Sequence, residues 1–311
     1  MATAPGVHVD LKDLVRLEAA ARGFGFRPRQ PVGSVLSGRH GSRLRGRGLT
    51  FEEHREYVPG DDVRSIDWRV TARTRRTHVR VHSEERDRPV LLVVDQRQTM
   101  FFGTRRTMKS VVAAEAAALA AWRVVASGDR VGAVVVGEER VETVRPRRSR
   151  STVERILGLV ARENQSLAAG GSTEAGEGRL IEALRYARAV ARTDSLVVVV
   201  SDFAGDPDET RRLLGQLAAS NDVVLGFVYD TSAANLPRAG RIVFTSGELQ
   251  AEIDTEGERV RRSVQSDFEE RLEAVRGIAR RHGLPALALE TGEDVATQLR
   301  VQLGGFAARG R

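Results

Sequence analysis

A chain of 311 residues with 41% hydrophobic and 29% charged content can bury a large core, which excludes fibrous and disordered classes and fits one α/β domain with a smaller companion. It contains no cysteine, which excludes disulfides, thiolate nucleophiles and Cys-ligated zinc. The formal net charge is +7, and residues 1–89 hold +6 of it, with 18 Lys/Arg against 12 Asp/Glu, so the basic excess belongs to the first part of the chain.

Taken in order, Val9 to Arg22 places Leu11, Leu14, Val15, Leu17 and Ala21 at helical spacing, which predicts a short amphipathic helix. Met1 to Asp13 has no apolar h-region, and Glu115 and Arg123 interrupt the apolar run Val111 to Ala126. The expectation is a cytoplasmic chain without a secretory signal or a membrane span. After Pro28 and Pro31, the stretch Gly38 to Gly48 is dense in glycine and arginine, read either as a solvated loop or as a cradle for an anion.

Between Leu49 and Arg69, the centre Pro59-Gly60-Asp61-Asp62 reads as a turn, with Phe51, Tyr57, Val63, Ile66 and Trp68 expected to pack a small subdomain. Arg55, Arg64, Arg69 and Arg73 interleave with Glu56, Asp61, Asp62 and Asp67. They are expected to form a polar network fixing this subdomain on the main domain. Thr77 to Ser83 alternates with period two, as a half-buried strand does.

From Arg88 onward strands and helices alternate. Val90 to Val94 predicts a strand buried on both faces and ending at Asp95, followed by an alanine-rich helix over Arg105 to Ser127. A strand at Val131 to Val136 and its shorter hairpin partner at Glu139 to Arg145 come next. A helix through Val153, Ile156, Leu157 and Val160 then opens on the capping-box spacing Ser151 to Glu154. Helices are predicted over Leu180 to Arg192, Glu209 to Ser220, Glu258 to His282 and Val295 to Leu303. Strands are predicted over Leu196 to Val200, Val223 to Tyr229, Ile242 to Phe244, Leu249 to Ile253 and Ala286 to Leu289. The alternation implies an α/β, doubly wound, mostly parallel sheet with right-handed crossovers over residues 89–311. A β-containing subdomain at 32–88 and an N-terminal helix and linker at 1–31 precede it.

Ligands of open α/β sheets bind beyond the carboxyl ends of the strands. Asp95 and Asp202 each end a buried strand, and Thr99 and Thr173 lie in nearby loops. Two carboxylates and two hydroxyls form an oxygen set suited to a hard divalent cation; taken singly, each carboxylate could equally cap a helix. This arrangement resembles the von Willebrand factor A-type fold and its metal-ion-dependent adhesion site. That pattern is Asp-x-Ser-x-Ser after the first strand, a threonine after a Gly-rich loop, and an aspartate after a later strand. Asp95, Thr99, Thr173 and Asp202 match it, and Arg97 departs from it by standing where the first serine belongs. At an effective dielectric of about 20, a guanidinium about 4 Å from a carboxylate gains on the order of 4 kcal/mol, and repels a dication at that distance by about twice as much. Arg97 turned inward therefore replaces the metal. Arg97 turned to solvent leaves a weakened, degenerate site for Mg²⁺, Mn²⁺ or Ca²⁺.

Upstream, Gly38-x-His40-x-Ser42, Gly46-x-Gly48, Phe51, Arg55-Glu56-Tyr57, Pro59-Gly60-Asp61-Asp62, Arg64-x-Ile66-Asp67-Trp68 and Ala72-Arg73-Thr74 look like a family signature. The chain resembles the bacterial domain-of-unknown-function family number fifty-eight. The resemblance implies an A-type fold after the signature and association with MoxR-type AAA+ ATPases. The expected role is a non-enzymatic protein-interaction adaptor that acts with such an ATPase on a client protein, in maturation, complex assembly or stress response. Two other readings remain open: nucleic-acid or polyanion binding through the Arg-rich N-terminal region, and metal-dependent hydrolysis at the strand-end carboxylates. The six histidines form no zincin motif, and no Gly-x-Ser-x-Gly elbow or phosphate loop occurs.

Overall fold

The computed structural model describes residues 6–23, 49–84, 89–176, 178–191, 193–234, 241–246, 249–254 and 258–308. The arginine-rich Gly38 to Gly48 stretch lies outside them. The chain divides into two compact units, one of Met1–Val32 with Arg88–Arg311 and one of Gly33–Asp87. In the N-terminal segment, the buried Leu14 packs into the same core as the sheet and its helices.

Helix α1 (Leu11–Arg16) is shorter than the predicted span, and a separate 3-10 turn covers Ala20–Gly23. The Leu14 carbonyl accepts from Trp122 Nε1 at 3.2 Å, while the Glu18 amide bonds to the Val15 carbonyl instead. Tertiary pairing of one carbonyl thus coincides with the end of the helix.

In the small unit, β1 (Leu49–Glu56) and β2 (His78–Glu84) pair antiparallel, with a bulge between Phe51 and Glu53. A 3-10 turn at Val63–Ser65 and helix α2 (Trp68–Thr74) lie between them in sequence. Val63 and Trp68 do not pack this unit as predicted: they are 61% and 69% exposed.

In the large unit come β3 (Pro89–Asp95), α3 (Lys109–Ala126), β4 (Arg130–Val136), β5 (Val141–Arg147), α4 (Arg150–Gln165), α5 (Arg179–Val190), β6 (Leu196–Ser201), α6 (Pro207–Ala218) and β7 (Asp222–Tyr229). The short α7 (Thr231–Ala234), a separate antiparallel pair β8 (Arg241–Ser246) and β9 (Leu249–Asp254), α8 (Glu258–His282), β10 (Ala286–Glu290) and α9 (Val295–Ala308) complete it. The main sheet runs β10-β7-β6-β3-β4-β5, parallel throughout except for β5, the predicted hairpin partner of β4.

Both faces of the sheet are covered, which is why its strands are continuous apolar runs. Val90, Leu92 and Val94 of β3 join one core with α3, α4 and α9, while Leu91 and Val93 join the other with α5, α6 and α8. Helix α4 opens at Ser149, not Ser151: the Ser149 hydroxyl accepts from the Thr152 amide. β3 lies at the sheet centre between β6 and β4, so its carboxyl end meets the ends of both.

Candidate functional site: ion-paired strand ends

Hydrogen bonding between β3 and β6 brings Asp95 beside Ser201 and Asp202. Asp95 is fully buried. Its Oδ1 accepts from Arg97 N at 3.0 Å and Arg97 Nε at 3.0 Å, and its Oδ2 from Arg97 Nη2 at 2.8 Å and Ser201 Oγ at 2.6 Å. Arg97 turns inward, its side chain only 4% exposed, and Nη2 also donates to the Ala204 carbonyl at 3.0 Å. Burial works against its charge, but Asp95 beside it, with Asp202 and Glu138 further off, holds the guanidinium above its ordinary value. The loop that receives it is shaped around it. Phe203 takes the left-handed φ of +54° with its amide bonded to Ser201 Oγ, and Gly205 at φ +123° has a conformation that only glycine adopts freely.

The second carboxylate is held differently. Asp202 Oδ2 accepts from Lys109 Nζ at 2.6 Å and from Arg271 Nη1 at 3.3 Å, and its Oδ1 from the Ala204 amide at 3.1 Å. Burial alone would raise its pKa; the positive charges of Lys109, Arg271 and Arg97 outweigh that and hold the carboxyl well below the usual range. Lys109 is the first residue of α3 and is buried, its ammonium 5.9 Å from the centre of the Phe102 ring. It is a compact point charge delivered to the strand end by the helix that covers β3.

These donors decide how a divalent cation would fare. Both Asp95 oxygens face N–H or O–H donors, both Asp202 oxygens do likewise, and two buried cations occupy the space between the helix start and the strand ends. Among the described residues, no group of three or more His, Cys, Asp or Glu side chains could hold a metal ion. The residues as arranged do not fit Mg²⁺, Mn²⁺ or Ca²⁺.

The two threonines of the pattern make no hydrogen bond to Asp95 or Asp202 among the described residues. Thr99 follows the 3-10 turn start at Gln98, and its buried Oγ1 has no hydrogen-bond partner. Thr173 is exposed, with no hydrogen bond to the cluster. Two contacts tie these loops: Gln98 Nε2 donates to the Ala168 carbonyl at 2.6 Å, and Glu138, which sequence reasoning missed, accepts from the Gln98 and Gly176 amides at 2.7 Å each.

Gln96 anchors the site to the N-terminal segment. Gln96 Nε2 donates to the Ser110 carbonyl, Asn164 Nδ2 donates to Gln96 Oε1 at 3.0 Å, and Asn164 Oδ1 accepts from the Val9 amide at 2.8 Å. The His8 ring stacks on Phe101, centroids 5.3 Å apart. Arg150, one of the basic residues near the end of β5, pairs with Glu18 and Glu154 and covers the Trp122 ring at 4.8 Å.

Beside the strand ends lies a groove of about 880 Å³ between the start of α6 and α8. Thr99, Ala204 and Gly205 line it at the strand-end side, and Arg211, Arg271 and Glu270 on the helices. Arg271 is the cluster's accessible member, its side chain 31% exposed.

In the small unit the signature residues bond to one another. Arg55 pairs with both oxygens of Asp61 at 2.8 and 2.7 Å, and Arg76 with Glu56 at 2.6 Å. Asp62 accepts from the Arg64 amide, and Asp67 from the amides of Arg69 and Val70 and from His54 Nε2. Gly60 supplies a left-handed φ of +110° in the predicted turn, and the Tyr57 amide bonds to the Thr77 carbonyl. The side chains of Arg64, Arg69 and Arg73, expected in this network, make no ion pair among the described residues.

The family described as protein of unknown function DUF58 matches residues 53–276. An uncharacterized protein of Mycobacterium bovis is 31% identical over 287 residues, covering 90% of this chain and 86% of that protein. Among solved structures, the conserved hypothetical protein BatB of Bacteroides thetaiotaomicron is similar with a TM-score of 0.44 at 12% identity, over 71% of this chain and 99% of that one. A von Willebrand factor type A protein of Catenulispora acidiphila is similar with a TM-score of 0.36 at 12% identity, over 75% of this chain and 44% of that one. Among the described residues, no helix is long and apolar enough to cross a membrane.

Proposed function

The chain belongs to the DUF58 family, and on that premise we propose that it is a non-enzymatic protein-interaction adaptor that needs no metal at its strand ends. It acts with a MoxR-type AAA+ ATPase, the partner class that the family resemblance implies, on a client protein. The observation that carries this reading is the internal neutralisation of Asp95 and Asp202 by Arg97 and Lys109 beside an open groove. Carboxylates held this way are poorly placed to act as general bases, since each oxygen already accepts a hydrogen bond. Arg97 is too buried to reach a partner directly; Arg271, on the groove wall, is the accessible cation of the set.

The test is a pull-down of a MoxR-type ATPase from the same organism with the full chain in EDTA, with ATP, ADP and no nucleotide. Association is expected in at least one nucleotide state, to survive EDTA, and to weaken in Arg271→Ala. No association in any state, or association abolished by EDTA and restored by Mg²⁺ without nucleotide, would overturn the reading.

A further inference from the structure

We propose that the exposed face of α2, with the turns before it, is a docking surface for a partner protein's face that carries carboxylates beside apolar side chains. This rests on the adaptor reading and names a second contact, on the small unit.

The charges of this segment divide by sign. Its carboxylates are used internally: Asp61 takes Arg55 and the Val58 amide, Asp62 the Arg64 amide, Asp67 two amides and His54, and Glu56 takes Arg76. Its remaining guanidiniums are not. Arg64, Arg69, Arg73 and Arg75 are exposed, and their side chains make no hydrogen bond or ion pair among the described residues. The acidic groups build the turns, and the basic groups are left facing outward.

Helix geometry gathers part of this set on one side. At about 100° per residue, Trp68, Ala72, Arg69 and Arg73 fall in that order along an arc of about 140°. The opposite side is committed: Val70 and Thr71 are half-buried, and Thr71 Oγ1 accepts from the His78 amide of β2 at 3.0 Å. At one end of the outward arc, Trp68 is 69% exposed, and Val58 and Val63 in the preceding turns are 56% and 61% exposed.

Exposed tryptophan beside unpaired arginine is the composition that dominates protein interfaces. Two exposed valines favour a protein over a nucleic acid, whose bases would stack on Trp68 but would have little use for branched aliphatic side chains. The unpaired guanidiniums call for carboxylates on the partner beside the apolar side chains that meet Trp68.

The probe is a synthetic amphipathic peptide of glutamate, leucine and alanine, titrated into the full chain and followed by tryptophan fluorescence. Trp68 is one of 2 tryptophans, and the other, Trp122, is only 3% exposed, so changes report on this surface. In the free chain, acrylamide should quench one tryptophan and spare the other. The glutamate peptide should bind saturably with a blue shift, and the same peptide with lysine for glutamate should not. Arg69→Glu/Arg73→Glu should weaken binding about tenfold or more, and Val63→Ser should weaken it with every charge intact.

Equal binding to wild type and both variants overturns the proposal, as does equal binding of the lysine peptide. Tighter binding of an oligothymidine assigns the surface to nucleic acid, and a Trp68 already shielded in the free chain means the chain covers it itself; both overturn the proposal. The two readings fail separately. ATPase association kept in Arg69→Glu/Arg73→Glu but weakened in Arg271→Ala, with no peptide binding, sinks this surface alone. Peptide binding as described, with no ATPase association, sinks the ATPase assignment alone.

Discussion

Replacing Arg97 by methionine keeps most of the side-chain volume and removes its charge. The guanidinium makes two bonds to Asp95 and one to the Ala204 carbonyl, and all three are lost. Asp95 keeps the Arg97 amide and Ser201 Oγ, so it is left hydrogen-bonded but without its closest cation. Removing one partner of a buried ion pair costs about 3–5 kcal/mol, because the remaining charge has no water to replace it. For a unit of this size that is a fall in Tm of roughly 6–20 °C.

Urea unfolding of wild type, Arg97→Met, Asp95→Asn and the double variant measures the coupling directly. The double variant should be more stable than the sum of the single losses predicts, by about 2 kcal/mol or more, since no charge is then stranded. A loss below about 1 kcal/mol in Arg97→Met, or additivity in the cycle, would refute the claim that Arg97 neutralises a buried Asp95.

Calorimetry with Mg²⁺, Mn²⁺ and Ca²⁺ should give no heat for wild type or for Arg97→Ser, where Lys109 still holds Asp202, and heat only for Arg97→Ser/Lys109→Ser. Acid should act through depressed carboxyls. Burial would raise the Asp230 pKa, but bonds from Thr291, Thr104 and Ser232 lower it, and Asp202 is lowered by its cations. Groups lowered on folding stabilise fully above their unfolded value, about 3.9 for Asp, and lose that contribution as pH falls below it. The Tm advantage of wild type over Asp230→Asn should therefore shrink on acidification through that range, and an advantage that grows would contradict the sign. Asn164→Leu should strand the Val9 amide and Gln96 Oε1, costing about 1–3 kcal/mol each and speeding exchange of the Val9 amide. Gly132→Ala would place a methyl 2.6 Å from the Val144 carbonyl oxygen, so the β4–β5 edge should loosen and Tm should fall.

The strands of the main sheet were legible because burial on both faces leaves an unbroken apolar run, as in Val90 to Val94 and Leu196 to Val200. Asp95 and Asp202 were legible for the same reason: each is the first charge after such a run. Arg97 was legible as a departure from a pattern, though only the fold could say that it points inward. Lys109 was not singled out as a ligand of Asp202, 93 residues away, although it is one of two lysines in a chain that otherwise uses arginine. Glu138 and Arg271 carry no local mark at all, since each matters only through loops that the sheet brings together. Trp68 misled because an aromatic residue in a compact segment usually lies inside, and nothing in its neighbours shows which face of a short helix is covered.

The two strand-end carboxylates also differ in when they find their cations. Asp95 and Arg97 are only two residues apart, so their pairing closes no long loop. Asp202 must wait for Lys109 from 93 residues before it and Arg271 from 69 residues after it. Long-range closure of this kind comes late in folding, because loop entropy is lost before the contact repays it. A chain halted before α8 lacks Arg271 and the helix that walls the groove. The groove therefore exists only in a chain synthesised through α8, and a nascent or truncated copy cannot offer it to a partner.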